Sequence, residues 1–233
     1  LERLTLRAMR LLRQEGATTL VSACHSVSAS VIRPMFELFG TGANIVEMVG
    51  PVTAALAHEQ SGRIVIAMTA ATARSRAYEE GFRAYGIVPK TIVCSDLAPA
   101  VERGAPASVI AAIADRVAAH VVALECDTFI LGCTHFPHAR AQFTAAFAAR
   151  GAAVRVVDPA VYVADAVTRM AGARGSGRGR FLLSRDSEVF RAAVARQFPD
   201  RALTIAVLPT PVPSMEEAQP RDAVPQSWYG ANP

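Results

Sequence analysis

Short apolar runs of β-forming residues alternate with longer segments of helical period along most of this chain. Strands are expected at 18–23, 63–68, 91–94, 128–131, 153–157, 181–183 and 203–208. Helices are expected over 2–15, 26–39, 72–85, 108–125, 137–150, 162–170 and 187–198, the first carrying Leu4, Leu6, Met9, Leu11 and Leu12 among arginines until Gly16 stops it. Strands alternating with helices of this length call for parallel sheets covered on both faces, an α/β fold. The 233 residues suffice for two modest lobes or one large domain, and the 52% apolar fraction supplies a substantial core. Gly50-Pro51 is a candidate crossing point between lobes. Residues 171–180, rich in Gly and Arg, are expected to form a loop, and the proline-rich stretch 209–233 a disordered tail.

Two blocks look like copies of one another. Ala17-Thr18-Thr19-Leu20-Val21-Ser22-Ala23-Cys24-His25-Ser26 is one, and Cys126-Asp127-Thr128-Phe129-Ile130-Leu131-Gly132-Cys133-Thr134-His135 is the other. Each is a β-rich run ending in a small residue, a cysteine and polar side chains. Two matched thiols facing one another across a cleft can take a proton from one face of a bound carbon and return one to the other. That chemistry needs no cofactor.

Composition removes several alternatives. The formal charge of +4 is almost wholly arginine, scattered over helical segments without interleaved aromatics, which reads as a solvated basic surface and argues against a nucleic-acid partner. Four cysteines in a chain of this length are no disulfide scaffold, and no secretory leader opens the sequence, so reduced thiols in a cytoplasm are expected. Asp115, Arg116 and Glu125 interrupt the best apolar run, so no membrane span is expected. Cys133-x-His135 with a distant Cys24-His25 matches no common zinc spacing, no Cys-x-x-Cys redox turn exists, and Lys90, the only lysine, follows Pro89 at a strand start, a poor place for a pyridoxal Schiff base. Neither metal nor cofactor is expected.

In open parallel sheets, ligands bind beyond the carboxyl ends of the strands. Cys24 and Cys133 both fall there, where the amides opening the next helix favour negative charge and can hold a carboxylate. Thr69 and Thr72, after the strand at 63–68, add hydroxyls. His135, two residues past Cys133, is placed to orient that thiol or shuttle its proton. Glu102, in an expected loop at 98–104, is placed to accept a hydrogen bond from His135 or from a substrate ammonium. Cys94 and Cys126 lack polar neighbours and read as small buried hydrophobes; Thr69 and Thr72 also read as helix caps, and Glu102 as a loop charge.

Leu131-Gly132-Cys133-Thr134-His135-Phe136-Pro137 resembles the second cysteine motif of glutamate racemases, in the aspartate/glutamate racemase superfamily. Ala23-Cys24-His25-Ser26-Val27-Ser28-Ala29 resembles their first, the stretch 66–78 their Thr-x-x-Thr block, and Glu102 an acidic position before a glycine. Order and gaps agree from about Leu1 to Phe198. The resemblance implies two pseudo-symmetric lobes, each a mostly parallel sheet flanked by helices, with the active site in the cleft between them. The expected division is 1–47 plus 160–208, and 48–159. It implies Cys24 and Cys133 as the acid and base pair, assisted by His135 and Glu102, with His25, Ser26, Thr69, Thr72, Thr134 and His135 lining the substrate site. The implied reaction is cofactor-independent conversion of L-glutamate to D-glutamate for peptidoglycan synthesis, cell-wall biogenesis and cell shape. Racemases of this kind associate through several faces, so a homodimer is one form the chain can take.

The chain departs from that pattern in three places. An opening strand with Asp-Ser-Gly and a Pro-Tyr-Gly loop are absent, and both are expected upstream of Leu1. His25 stands where the family usually has asparagine, and an imidazole does not offer asparagine's paired acceptor and donor. Aspartate is therefore the alternative substrate, and a catalytically silent amino-acid-binding relative the alternative of another class.

Overall fold

The computed structural model describes residues 1–39, 44–171 and 177–208. The expected tail at 209–233 and the start of the expected loop, 172–176, lie outside these. Residues 1–171 form one compact unit, and 177–208 fall in a second.

The first unit is built on a four-stranded parallel sheet. Its strands are β3 (Ile64–Met68), β4 (Lys90–Val93), β5 (Thr128–Gly132) and β6 (Arg155–Val157), in the order β4-β3-β5-β6. Every residue of β3 and β5 is buried. Alternation along those strands feeds two cores. Val65, Ala67, Phe129 and Leu131 face α8 (Ala107–Ala123) and α9 (Arg140–Ala148), where Phe129 packs 5.0 Å from Phe143 and 5.3 Å from Phe147 between ring centroids. Ile64, Ile66, Met68 and Ile130 face the opposite layer, against Val52 and Leu56 of α4 (Gly50–His58) and Tyr78 and Phe82 of α6 (Ala77–Arg83). A sheet covered on both faces leaves its strands no polar side to show, which is why they read as unbroken apolar runs.

A smaller parallel pair precedes this sheet. Strand β1 (Leu20–Val21) pairs with β2 (Ile45–Val46), with Leu20 opposite Ile45. Helix α1 (Glu2–Gln14) leads into β1, and Val46 and Met48 pack on Val163 of α10 (Pro159–Ala171). Between the strands runs one helical stretch: α2 (His25–Val27), a π turn (Ser28–Ile32) and α3 (Arg33–Phe39). The buried Glu47 carboxylate accepts from the N–H groups of Val49 (2.6 Å) and Gly50 (2.5 Å), capping α4. The second unit is β7 (Arg178–Leu183), α11 (Glu188–Gln197) and β8 (Ala202–Val207), with its two strands parallel and Phe181 against Phe190.

The α/β class with parallel sheets flanked by helices is as expected; three local readings change. The expected helix 72–85 is two: α5 (Ala70–Ser75) and α6, broken at Arg76 with φ +56°. The Ser75 hydroxyl makes the break, donating to the Thr72 carbonyl (2.7 Å) and accepting from the Ala77 N–H (3.4 Å) in place of helical bonds. The expected loop around Glu102 is helix α7 (Leu97–Glu102), because Pro99 sits in the first turn, where no N–H is needed. The Arg-rich stretch ends in strand rather than loop, as β7 begins at Arg178.

One glycine controls how closely β5 can approach β3. A Cβ on Gly132 would lie 2.7 Å from the Ala67 carbonyl oxygen and 3.0 Å from Ile66 Cγ2, and a backbone oxygen held within a paired strand cannot swing aside. Gly132→Ala is expected to cost about 1–3 kcal/mol by overpacking, measured by urea unfolding, and a wild-type midpoint would show the strands able to part.

Candidate active site

The sheet order places the site. The chain leaves β3 for β4 on one side, then returns past β3 to β5 on the other, so the helical layers diverge at the β3–β5 border. Such a switch point opens a crevice at the carboxyl ends of the strands. Register sets what stands there. Met68 pairs with Gly132, so Thr69 and Cys133, the next residues, leave the sheet side by side.

Hydroxyls join this edge to the first cysteine segment. The Ser26 Oγ lies 3.2 Å from Thr69 Oγ1 and 3.3 Å from Thr72 Oγ1, and the two threonine oxygens are 3.1 Å apart. Thr69 also caps α5, accepting from the Thr72 N–H at 3.4 Å. Ser26 follows Cys24 by two residues, so this triangle draws the exposed Cys24 towards the end of β3 and its neighbour β5.

Cys133 is buried, and burial holds its thiol above the ordinary range; the N–H groups of His135 and Phe136 pull the other way, while negative charge on Cys24 pushes it further up. The expected helix-start stabilisation of the thiolate is present at Cys133, but desolvation outweighs it. Cys133 therefore holds its proton at neutral pH. Its Sγ lies 3.8 Å from His135 Nδ1, a contact that serves either protonation state: S–H donates to a neutral ring nitrogen, or a ring N–H donates to the thiolate. Thr134 is exposed at the same turn. Glu102 ends α7, which packs against the 3-10 turn Phe136–Ala139, but its carboxylate is exposed and forms no hydrogen bond with His135 among the described bonds.

His25 lies inward. It is 3% exposed, stacks on Tyr78 with ring centroids 6.0 Å apart, and neither ring nitrogen has a hydrogen-bond partner. Burial alone lowers its pKa to about 3, so it is a neutral imidazole. Cys94 and Cys126 are buried, their thiols donating to Asp96 (3.4 Å) and to the Thr128 carbonyl (3.1 Å), and burial raises their pKa to about 12 and about 11. No group of three or more His, Cys, Asp or Glu among the described residues could hold a metal ion. A groove of about 330 Å³ along α1 also touches Cys24; its walls are mostly apolar, among them Leu4, Met9, Leu12 and Val21, with Thr5 and Ser22 as the hydroxyl-bearing residues.

A sequence profile of the Asp/Glu/Hydantoin racemase family matches residues 2–167. The chain belongs to that family. As a member it is a racemase, an isomerase. The glutamate racemase of Parafrankia sp. (strain EAN1pec) is 31% identical over 228 residues, 93% of this chain and 80% of that protein. The crystal structure of glutamate racemase from Francisella tularensis subsp. tularensis SCHU S4 in complex with D-glutamate has TM-score 0.75 at 14% identity, covering 89% of this racemase and 79% of that chain. Picrophilus torridus aspartate racemase has TM-score 0.55 at 18% identity, covering 74% and 70%. These two structures share the fold of this racemase.

Two features of the racemase were not read from sequence. The Glu47 cap had a signal, an acidic residue just ahead of a Gly-Pro helix start. The Ser22–Ser28 contact described below had none, since single serines beside a strand are common.

His25 makes stability depend on pH. Its folded pKa of about 3 lies below the ordinary imidazole value of 6.5, so its contribution is complete above pH 6.5 and is lost as pH falls towards 3, about 2 kcal/mol of it by pH 5. Comparing urea unfolding at pH 7 and pH 5, His25→Phe is expected to flatten that loss, and an unchanged acid slope would place the charged imidazole in solvent.

Proposed function

We propose that this racemase interconverts L- and D-glutamate by a two-thiol exchange at the α-carbon, with aspartate as the alternative substrate. The observation that carries the reading is the convergence of both cysteine segments on the end of β3: Cys133 leaves the sheet beside Thr69, and Ser26, two residues past Cys24, lies 3.2 Å from Thr69 Oγ1. Two thiolates that repel one another favour the state with one proton between them, which the reaction requires. A thiolate on one side removes the α-proton. The electron pair stays on the α-carbon as a carbanion, and the opposite S–H delivers its proton to the other face. The enzyme is left with the thiol and thiolate roles exchanged, ready for the reverse hand.

The surrounding groups suit a carbanion made without a cofactor. Ser26, Thr69, Thr72 and Thr134 offer hydroxyls to substrate oxygens, and His135 steadies Cys133 in both its states. His25 is assigned to the inner wall beside Cys24 and Glu102 to the outer rim, where it would meet the substrate ammonium. In this reading the lobe 48–159 carries Cys133 on its four-stranded sheet, and the β1–β2 pair of the other lobe carries Cys24. All four cysteines are free, consistent with a reducing cytoplasm. No helix among the described residues is long and apolar enough to cross a membrane. The product, D-glutamate, would supply peptidoglycan synthesis.

Incubation in heavy water tests the reaction, with L-glutamate and L-aspartate supplied separately. Deuterium at the α-carbon with loss of optical rotation is expected for glutamate; for aspartate alone it would move the assignment to that substrate, and binding without exchange would make the protein a silent relative. Cys24→Ala and Cys133→Ala are each expected to lower turnover by at least about 100-fold, and a variant that racemises normally would refute the two-thiol scheme. Because the Cys133 thiol lies above its ordinary value of 9.0, the alkaline fall in kcat/KM is expected above pH 9. A fall beginning below about pH 8 would contradict that ordering.

A further inference from the structure

The segment that delivers Cys24 hangs on one buried hydroxyl. Ser28 is fully buried at the start of the π turn, and its Oγ meets three groups. It donates to the Ser22 carbonyl oxygen at 3.3 Å, lies 3.0 Å from Ser22 Oγ, and accepts from the Met48 N–H at 3.1 Å. A hydroxyl has one proton and two lone pairs. With the proton on the Ser22 carbonyl, the Ser22 hydroxyl must be a donor, and every valence of Ser28 Oγ is used. The Ser28 N–H adds a bond to the Cys24 carbonyl at 2.8 Å, so residues 22 and 24 are both tied to residue 28.

Local backbone structure explains why such a tie is needed. Strand β1 ends at Val21 after two residues, and its last ladder bond is Ser22 N–H to the Val46 carbonyl, 2.8 Å. Ser22-Ala23-Cys24 then runs outside regular structure, with Cys24 extended at φ −135°, ψ 120°. The π turn bonds Arg33 N–H to the Ser28 carbonyl, five residues apart, which adds a residue to the turn and changes which side chains face inward. Ser28 thereby points back at the connector while Ser26 reaches Thr69 and Thr72. Through Met48 the same oxygen links the connector to the chain leaving β2, one residue past the Glu47 that caps α4.

We propose that Ser28 is a positioning residue for racemisation: its hydroxyl, clamped between Ser22 and Met48, holds Cys24 opposite Cys133. This rests on the reading of Cys24 and Cys133 as a reacting pair. Ser28 touches no substrate. It acts by fixing the sulfur's place, and displacement of a reacting group by about 1 Å is enough to lower a rate about 100-fold. Removing the hydroxyl also strands the Met48 N–H and frees the Ser22 hydroxyl to rotate, so the connector loses its reason for one conformation.

The test compares Ser28→Ala and Ser22→Ala with the wild type. Ser22 is only half-buried, so its variant keeps the question open to measurement if Ser28→Ala fails to fold. For each folded protein, kcat and KM for glutamate are measured in both directions, and Cys24 alkylation by iodoacetamide is timed in a Cys133→Ala background. The expected result is a fall in kcat of about tenfold or more with KM within about twofold, a Cys24 alkylation rate changed by at least about threefold, and a smaller effect in Ser22→Ala than in Ser28→Ala. A purely structural serine would lower the unfolding midpoint and leave kcat and the alkylation rate at wild-type values; that result overturns the proposal. Should the wild type exchange no α-proton, the function reading fails while the alkylation comparison still decides whether Ser28 places Cys24.

Discussion

The close approach of β3 and β5 is the constraint on which the site depends. Both strands are buried along their whole length, and their pairing runs in register from Ile64–Thr128 to Met68–Gly132. Gly132 lets the two backbones come together where the sheet ends. That register makes Thr69 and Cys133 neighbours, although they lie far apart in sequence. The same apolar burial that stabilises the sheet desolvates the Cys133 sulfur, so packing and thiol chemistry have one cause.

The electrostatics of the site follow from what lies close to it. Burial is the main cause of the Cys133 shift, and His25 beside Cys24 is neutral. In the proposed reading, the hydroxyls of Ser26, Thr69 and Thr72 meet the substrate's oxygens. In the proposed two-thiol exchange, repulsion between the sulfurs when both are ionised favours one thiol beside one thiolate. The His135 ring accommodates either state because one nitrogen can accept from S–H or donate to S⁻.

Much of this was legible in the sequence because periodicity reports burial. The runs Ile64–Met68 and Thr128–Gly132 are apolar on both faces, and that already requires helices on both sides. The positions of Cys24 and Cys133 after their strands were legible for the same reason. What escaped was local hydrogen bonding by small polar side chains. Nothing in Thr72–Tyr85 shows that the Ser75 hydroxyl will outbid a helical bond and turn Arg76 to positive φ. Pro99 reads as loop until it is placed in a first turn. The burial of His25 and the π turn at Ser28 depend on packing between segments distant in sequence, and no window of residues contains that information. Residue type alone could not place Glu102 at an exposed helix end.

A crystal structure of the racemase with glutamate bound tests the central claim most directly, because it shows both sulfurs and the reacting carbon together. The account predicts Cys24 Sγ and Cys133 Sγ on opposite sides of the α-carbon, each in contact with it, with the substrate's oxygens among the hydroxyls of Ser26, Thr69 and Thr72. A substrate touched by one sulfur alone, or two sulfurs in separate walls with no shared crevice, would contradict it.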